Sequence, residues 1–203
     1  MRRIPLSHRS HITGFQPLAT GTAEHESALE RDFVTRTSFL FPTASIISQP
    51  VTLTFRDGAK MRRYTPDFLV RRTDEKARLI EVKYSAELRS RWNSYGAAFA
   101  AARAWARDNN ASFRIATERH IRGTMLDNAK RLLSLRTAPV DVDTASLVAA
   151  VIRADASPTF GRVLSALPSR RAGLTTLWRL IARREVLVDL RSTISLEALL
   201  SLP

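Results

Sequence analysis

Asp67, Glu81 and Lys83 stand on two runs apolar enough to be buried, within the stretch "YTPDFLVRRTDEKARLIEVKYS" of residues 64–85. A carboxylate taken out of water without a partner is costly, so such groups are paired, protonated or bound to metal. Asp67 and Glu81 are fourteen residues apart, across a turn near "TDEKA". On adjacent antiparallel strands both can face one point. Lys83, two residues beyond Glu81, then falls on the same face. Two hard oxygen ligands on rigid strands suit Mg²⁺ or Mn²⁺, with waters completing the octahedron. A lysine beside them can orient or help deprotonate a water, or offset charge growing on a phosphate. The bland alternative is structural pairing of the two acids with Arg63 or Lys83.

The elements that must position these groups follow from pattern. "EHESALERDFVTRTSFL" (24–40) places Leu29, Phe33 and Val34 at helical spacing behind acidic residues. Residues 50–72 alternate around Asp57-Gly58, a hairpin signal, although the flanking arginine and lysine point to a loop slightly longer than two residues. "ARLIEVKYS" (77–85) and "SFRIATE" (112–118) read as strands. Residues 87–109 form a long alanine-rich helix with Leu88, Trp92, Tyr95, Phe99 and Trp105 on or near one face, and 123–135 another helix. Trp92, Trp105 and Trp178 are expected as core anchors. This order of helix, strands, helix, strand and helix is α/β.

Residues 1–22 are basic and polar without a clear period and read as an N-terminal arm. Pro139 and a shift in charge balance set a domain boundary near residue 140, giving an α/β domain over 23–140 and a small domain over 141–203. In the latter, "TASLVAAVIRA", "TFGRVLSAL" and "GLTTLWRLIARREVLVDL" read as three short helices, with "EVLVDL" turning into a strand and wing. That pattern is winged-helix-like; a small helical bundle for protein contact is the alternative.

Composition narrows the partners. The net charge is +13, with 32 basic residues of which only four are lysines, and this favours a polyanion such as nucleic acid. Residues 141–203 hold eight arginines and six acids, so most of the excess lies before them. There is no cysteine, which removes disulfides, thiol nucleophiles and cysteine-ligated zinc. No apolar run reaches membrane-span length and the N-terminus lacks the apolar segment of a signal peptide, so the expectation is a soluble cytoplasmic protein with no membrane partner. The four histidines show no ligand or triad spacing.

Pro66-Asp67 followed by Glu81-Val82-Lys83 resembles the PD-(D/E)xK nuclease superfamily. With "ESALERDF", "SQPVTLTF", "RRYTPDFLV" and "LIEVK" in that order, residues 10–117 resemble the N-terminal domain of TnsA, the endonuclease subunit of heteromeric transposons. The resemblance implies a restriction-endonuclease-like α/β core with a mixed sheet and a second, winged-helix-like domain. It implies a site in which Asp67 is the metal-binding aspartate, Glu81 the second ligand, Glu30 the helix glutamate that completes the acidic set, and Lys83 the active-site lysine. Val82, between Glu81 and Lys83, is counted with the metal set, and Gln49 occupies a recurrent family position. Read without the family, Glu30 pairs with Arg31 or Arg36 on an exposed helix, and Glu26 stands one turn away as a competitor for its role. The implied activity is Mg²⁺-dependent cutting (Mn²⁺ substituting) of double-stranded DNA at the 5′ ends of a transposon. The implied partners are a DDE-type transposase and an AAA+ ATPase regulator. A restriction or phage-defence nuclease and an inactive DNA-binding assembly subunit are the competing readings; the intact Glu30, Asp67, Glu81 and Lys83 set speaks against the second.

Overall fold

A computed structural model describes residues 13–73 and 75–203. The chain divides into two compact units, one ending at Arg122 and one running from Gly123 to Pro203.

In the first unit, β1 (Gly14–Leu18) and β2 (Gly21–His25) form an antiparallel hairpin. The expected basic arm is therefore strand and turn over 14–22; residues 1–12 lie outside the described residues. Ser27 begins α1 (Ala28–Leu40), its side chain accepting from Glu30 N–H at 3.1 Å, as an N-cap serine should. Then come β3 (Ser45–Ser48), β4 (Leu53–Asp57), β5 (Lys60–Tyr64), β6 (Phe68–Arg72), β7 (Glu75–Val82), α2 (Ser85–Asp108), β8 (Ala111–Ala116) and the single turn α3 (Glu118–Ile121).

Four of these strands make one mixed sheet in the order β3-β6-β7-β8, with the first two pairings antiparallel and the last parallel. The parallel pair needs a crossover, and α2 supplies it. Side chains alternate across this sheet. Phe68, Val70, Ile80 and Val82 pack with Leu29 and Val34 of α1, whereas Leu69 and Leu79 pack with Ala102 and Ala106 of α2. The α/β, mixed-sheet expectation holds.

The hairpin expected over 50–72 is divided. β4 and β5 pair only with each other, across Gly58-Ala59, and β6 joins the main sheet. Asp57 pairs with Lys60, so the turn is two residues long, not longer. Gly58 makes this possible, because its φ of 60° lies in the left-handed region open to glycine.

The second unit comprises α4 (Thr124–Leu133), α5 (Val142–Ala154), α6 (Phe160–Ala166), α7 (Arg170–Arg183) and the short antiparallel pair β9 (Leu187–Val188) with β10 (Leu200–Ser201). Asp141, Thr159 and Ser169 cap α5, α6 and α7 through their side chains. The boundary falls earlier than Pro139 signals, because α4 buries Leu126, Ala129 and Leu132 and packs on α7. The strand expected at "EVLVDL" shrinks to two residues. Val186 and Leu190 are buried in the core instead, and Asn128 Nδ2 holds the carbonyls of Leu190 and Ser192. Among the described residues no helix is long and apolar enough to cross a membrane.

Candidate active site

Asp67 immediately precedes β6, and Glu81 is the penultimate residue of β7. Phe68 pairs with Ile80, so the same register carried one step further sets Asp67 opposite Glu81. By alternation both follow Leu69 and Leu79 onto the face covered by α2. Two backbone hydrogen bonds fix the aspartate. Val82 N–H donates to Asp67 Oδ2 at 2.6 Å, and Gln49 N–H donates to the Asp67 carbonyl at 2.8 Å. Gln49 has φ 45°, a left-handed conformation uncommon for a non-glycine residue, so β3 ends in local strain directly beside the aspartate.

Glu81 is 3% exposed and still carries two partners. Lys83 Nζ is 3.1 Å from its Oε1, and Tyr64 Oη donates to its Oε2 at 2.6 Å. Burial, then the nearby Glu81 and Glu30, pushes the Asp67 carboxyl well above the ordinary aspartate value, against the opposing pull of Lys83 and Val82 N–H. Burial raises Glu81 as well, with Lys83 and Tyr64 opposing. For Lys83, burial alone would lower the pKa, but Glu81 and Asp67 outweigh it and hold the ammonium above its usual value. Tyr64 is raised by burial and by Glu81, so its hydroxyl stays a donor. The site is two close acids, one fixed cation and one fixed phenol. Such a pair of acids, reluctant to be anionic together, fits a hard divalent cation. Asp67 Oδ1 takes no protein hydrogen bond among the described residues and is open to it.

Glu30 stands apart. It lies in the first turn of α1, which packs on the opposite face of the sheet, and its carboxylate turns back on its own helix start. Oε2 accepts from Glu26 N–H at 2.7 Å and Oε1 from Ser27 Oγ at 2.8 Å. It raises both site acids, so it is within electrostatic reach. Yet among the described residues no three acids or histidines gather as a ready metal cluster. Glu26 precedes the N-cap and lies outside the helix, its carboxylate accepting from Gln49 Nε2 at 3.0 Å. Among the described residues Gln49 Oε1 is buried without a partner.

Tyr64 is the site residue that sequence reasoning missed. Three residues before Asp67, it does not share the aspartate's strand alternation, and its place comes from β5, where its ring also meets Phe99 edge-on at 6.1 Å. Trp92 departs from its expected core role: it is 53% exposed, whereas Trp105 packs against the core and Trp178 against Phe160. Trp92 still meets the Phe99 ring edge-on at 6.2 Å, but it stands directly after a break in α2 at Arg91 (φ −123°, ψ 16°) and ahead of the buried residues of α2, Ala98 to Ala106.

Arg122 joins the surroundings together, donating to Asp32 of α1 at 3.1 Å and to Tyr84 Oη, next to Lys83, at 3.1 Å.

A mixed β-sheet with α-helices on both faces, carrying Asp67 opposite Glu81 with a lysine two residues on, is consistent with a nuclease-like α/β fold. Residues 43–118 match the family described as TnsA-like endonuclease N terminal, which supports a TnsA-like endonuclease. The matched span holds Gln49, Tyr64, Asp67, Glu81, Val82 and Lys83; Glu30 lies before it. No curated protein matches the chain.

Because Tyr64 fixes the Glu81 carboxylate, Tyr64→Phe is expected to lower strand-cleavage rate by about 10–100-fold, as loss of a ligand-orienting partner does. Steady-state cleavage of the variant at saturating metal checks this; a rate equal to wild type would show Glu81 to be held adequately without it.

Proposed function

We propose that this protein is the metal-dependent DNA endonuclease subunit of a heteromeric transposase, cutting the 5′ ends of the transposon. A DDE-type transposase would act on the 3′ ends, and an AAA+ ATPase would regulate the assembly. The observation that carries the nuclease reading is Asp67 set opposite Glu81, with Lys83 3.1 Å from the glutamate, inside a TnsA-like endonuclease domain.

Asp67 and Glu81 would hold Mg²⁺ or Mn²⁺, with the Val82 carbonyl and Glu30 as further candidates. When bound, the cation polarises the phosphate and supplies a hydroxide-like water. The chain's own groups divide the remaining work. Val82 N–H and Gln49 N–H hold Asp67 in place, and Tyr64 holds Glu81. Lys83 is kept charged by the two acids, so it cannot take a proton at neutral pH. Its role is to orient water and offset charge developing on the scissile phosphate. Glu30 would have to give up its hydrogen bonds to Glu26 and Ser27 to reach a metal, which makes α1's start a point where a partner could complete the site.

In the second unit, the order of α5, α6 and α7 followed by the β9–β10 pair supports a winged-helix reading. We assign it to docking the partner subunits, with double-stranded DNA held mainly by the first unit. Reconstitution tests the whole assignment. With partner transposase, transposon ends and Mg²⁺ present, labelled 5′ strands should be cut; the isolated protein on plain duplex should cut weakly or not at all. Cutting of the 3′ strands instead, or undiminished 5′ cutting without the transposase, would overturn it.

A further inference from the structure

The β4–β5 hairpin has two different faces. Cross-strand partners share a face, so Leu53 with Tyr64 and Phe55 with Arg62 lie on one side, and Thr54 with Arg63 and Arg56 with Met61 on the other. The first side is the packed one: Leu53 joins the core under α2, Tyr64 meets Phe99, and Arg62 is paired to Asp57 at 2.6 Å. The second side is wholly exposed. It presents two arginines without an ion pair among the described residues, no acid, and a methionine 66% exposed between them.

The hairpin also emerges at the reactive end of the sheet. It is the connection from β3 to β6, its base closed by a 2.9 Å hydrogen bond between the Thr52 and Thr65 hydroxyls, and it leads within three residues from Tyr64 to Asp67. We infer that the outward face of this hairpin, carried by Arg56, Met61 and Arg63, is a backbone-binding rail for the DNA duplex flanking the cut. This rests on the nuclease reading above.

The spacing suits that ligand. A strand advances about 3.3 Å per residue, so Met61 lies roughly 10 Å along β5 from Tyr64. One DNA strand carries a charge about every 3.4 Å of axis, so the rail covers the first few phosphates beside the scissile one. Arg56 and Arg63 are diagonal neighbours, about 7–8 Å apart, close to the spacing of neighbouring phosphates on one strand, which exceeds the axial rise because the backbone winds around the axis. Met61 between them meets the apolar edge of the sugars and is covered when DNA is bound. These are phosphate and sugar contacts, and they carry no sequence preference of their own.

The test is binding of a fluorescent duplex by the full chain in EDTA, across 50–200 mM salt, so that no catalytic step is read. Arg56→Ala/Arg63→Ala is expected to weaken binding about tenfold at low salt and to reduce the log–log salt slope by about two. The control Lys76→Ala/Arg107→Ala removes the same charge at the far end of the sheet, where β7 starts and α2 ends, and should bind close to wild type. Unchanged unfolding midpoints would show that both variants are folded. Equal losses in the two variants, or no loss in the first, would overturn the rail while leaving a DNA-binding nuclease intact. Failure of the wild-type chain to bind duplex under any of these conditions would overturn the nuclease reading and the rail with it.

Discussion

Asp67→Ala is expected to lower 5′-strand cutting in the reconstituted complex by a factor on the order of 10³ or more. A bound cation supplies several kcal/mol of transition-state stabilisation, and each 1.36 kcal/mol is about tenfold in rate. Asp67 is the group with an oxygen open to that cation, and the hydrogen bonds at Val82 N–H and the Asp67 carbonyl hold it in place beforehand. The alanine loses the ligand but keeps the carbonyl that accepts from Gln49, so β3 and β6 should still close and assembly with the partner should be near normal. Lys83→Ala should also stop cutting but leave metal binding, since an ammonium is no ligand. Single-turnover assays following each strand separately, with metal titrated by calorimetry, distinguish the two. Wild-type cutting by Asp67→Ala would show that the site lies elsewhere.

The metal-free protein should be more stable with Asp67→Asn than with the native aspartate. Asp67 and Glu81 both have folded-state pKa values above their unfolded ones. A carboxyl raised in this way contributes stability that is fully present below its unfolded pKa and is lost as pH rises through the folded one. At pH 7–8 the pair therefore opposes folding, and asparagine removes one of its charges while its carbonyl can still accept from Val82 N–H. We expect a gain of about 1 kcal/mol, or roughly 2–4 °C in a chain of this size. The gain should shrink as pH falls toward the ordinary carboxylate range. Mg²⁺ should raise the wild-type midpoint, increasingly so at higher pH, because the cation competes with the protons these acids retain. Asp67→Asn should lose most of that response. Thermal scans in EDTA and in Mg²⁺ over pH 5–8 check both signs, and a lower midpoint for the variant at pH 8 in EDTA would contradict the raised aspartate.

Much of the site is legible in the chain because strand geometry is local. Asp67, Glu81 and Lys83 lie on runs whose two-residue alternation can be read directly, and the apolar neighbours Phe68, Leu69, Leu79 and Ile80 require burial wherever the strands go. The same locality makes α1 readable: Ser27 and Glu30 mark a helix start, and Leu29 and Val34 its buried side. Asp57-Gly58 foretells a turn but not its length, since cross-strand register decides whether a loop of two residues closes.

What the chain could not show is anything that depends on which element lies against which. The approach of Glu30 is decided by α1 covering the opposite sheet face, and a helix pattern does not say which face it will cover. Tyr64 reaches Glu81 because β5 folds away from the main sheet and returns its last residue to it, a contact between positions seventeen residues apart that no periodicity encodes. Trp92 keeps the helical phase of Phe99 and meets its ring, yet it is 53% exposed because α2 is buried only from Ala98 onward, and a helix pattern does not say where along its length the covering elements stop. The domain boundary moved from Pro139 to Arg122 for the same reason: composition records where the chain bends, while only packing of α4 on α7 decides to which core a helix belongs. Local pattern is set by bonds and sterics within a few residues, but partner choice is set by burial summed over surfaces that meet only once the chain has folded.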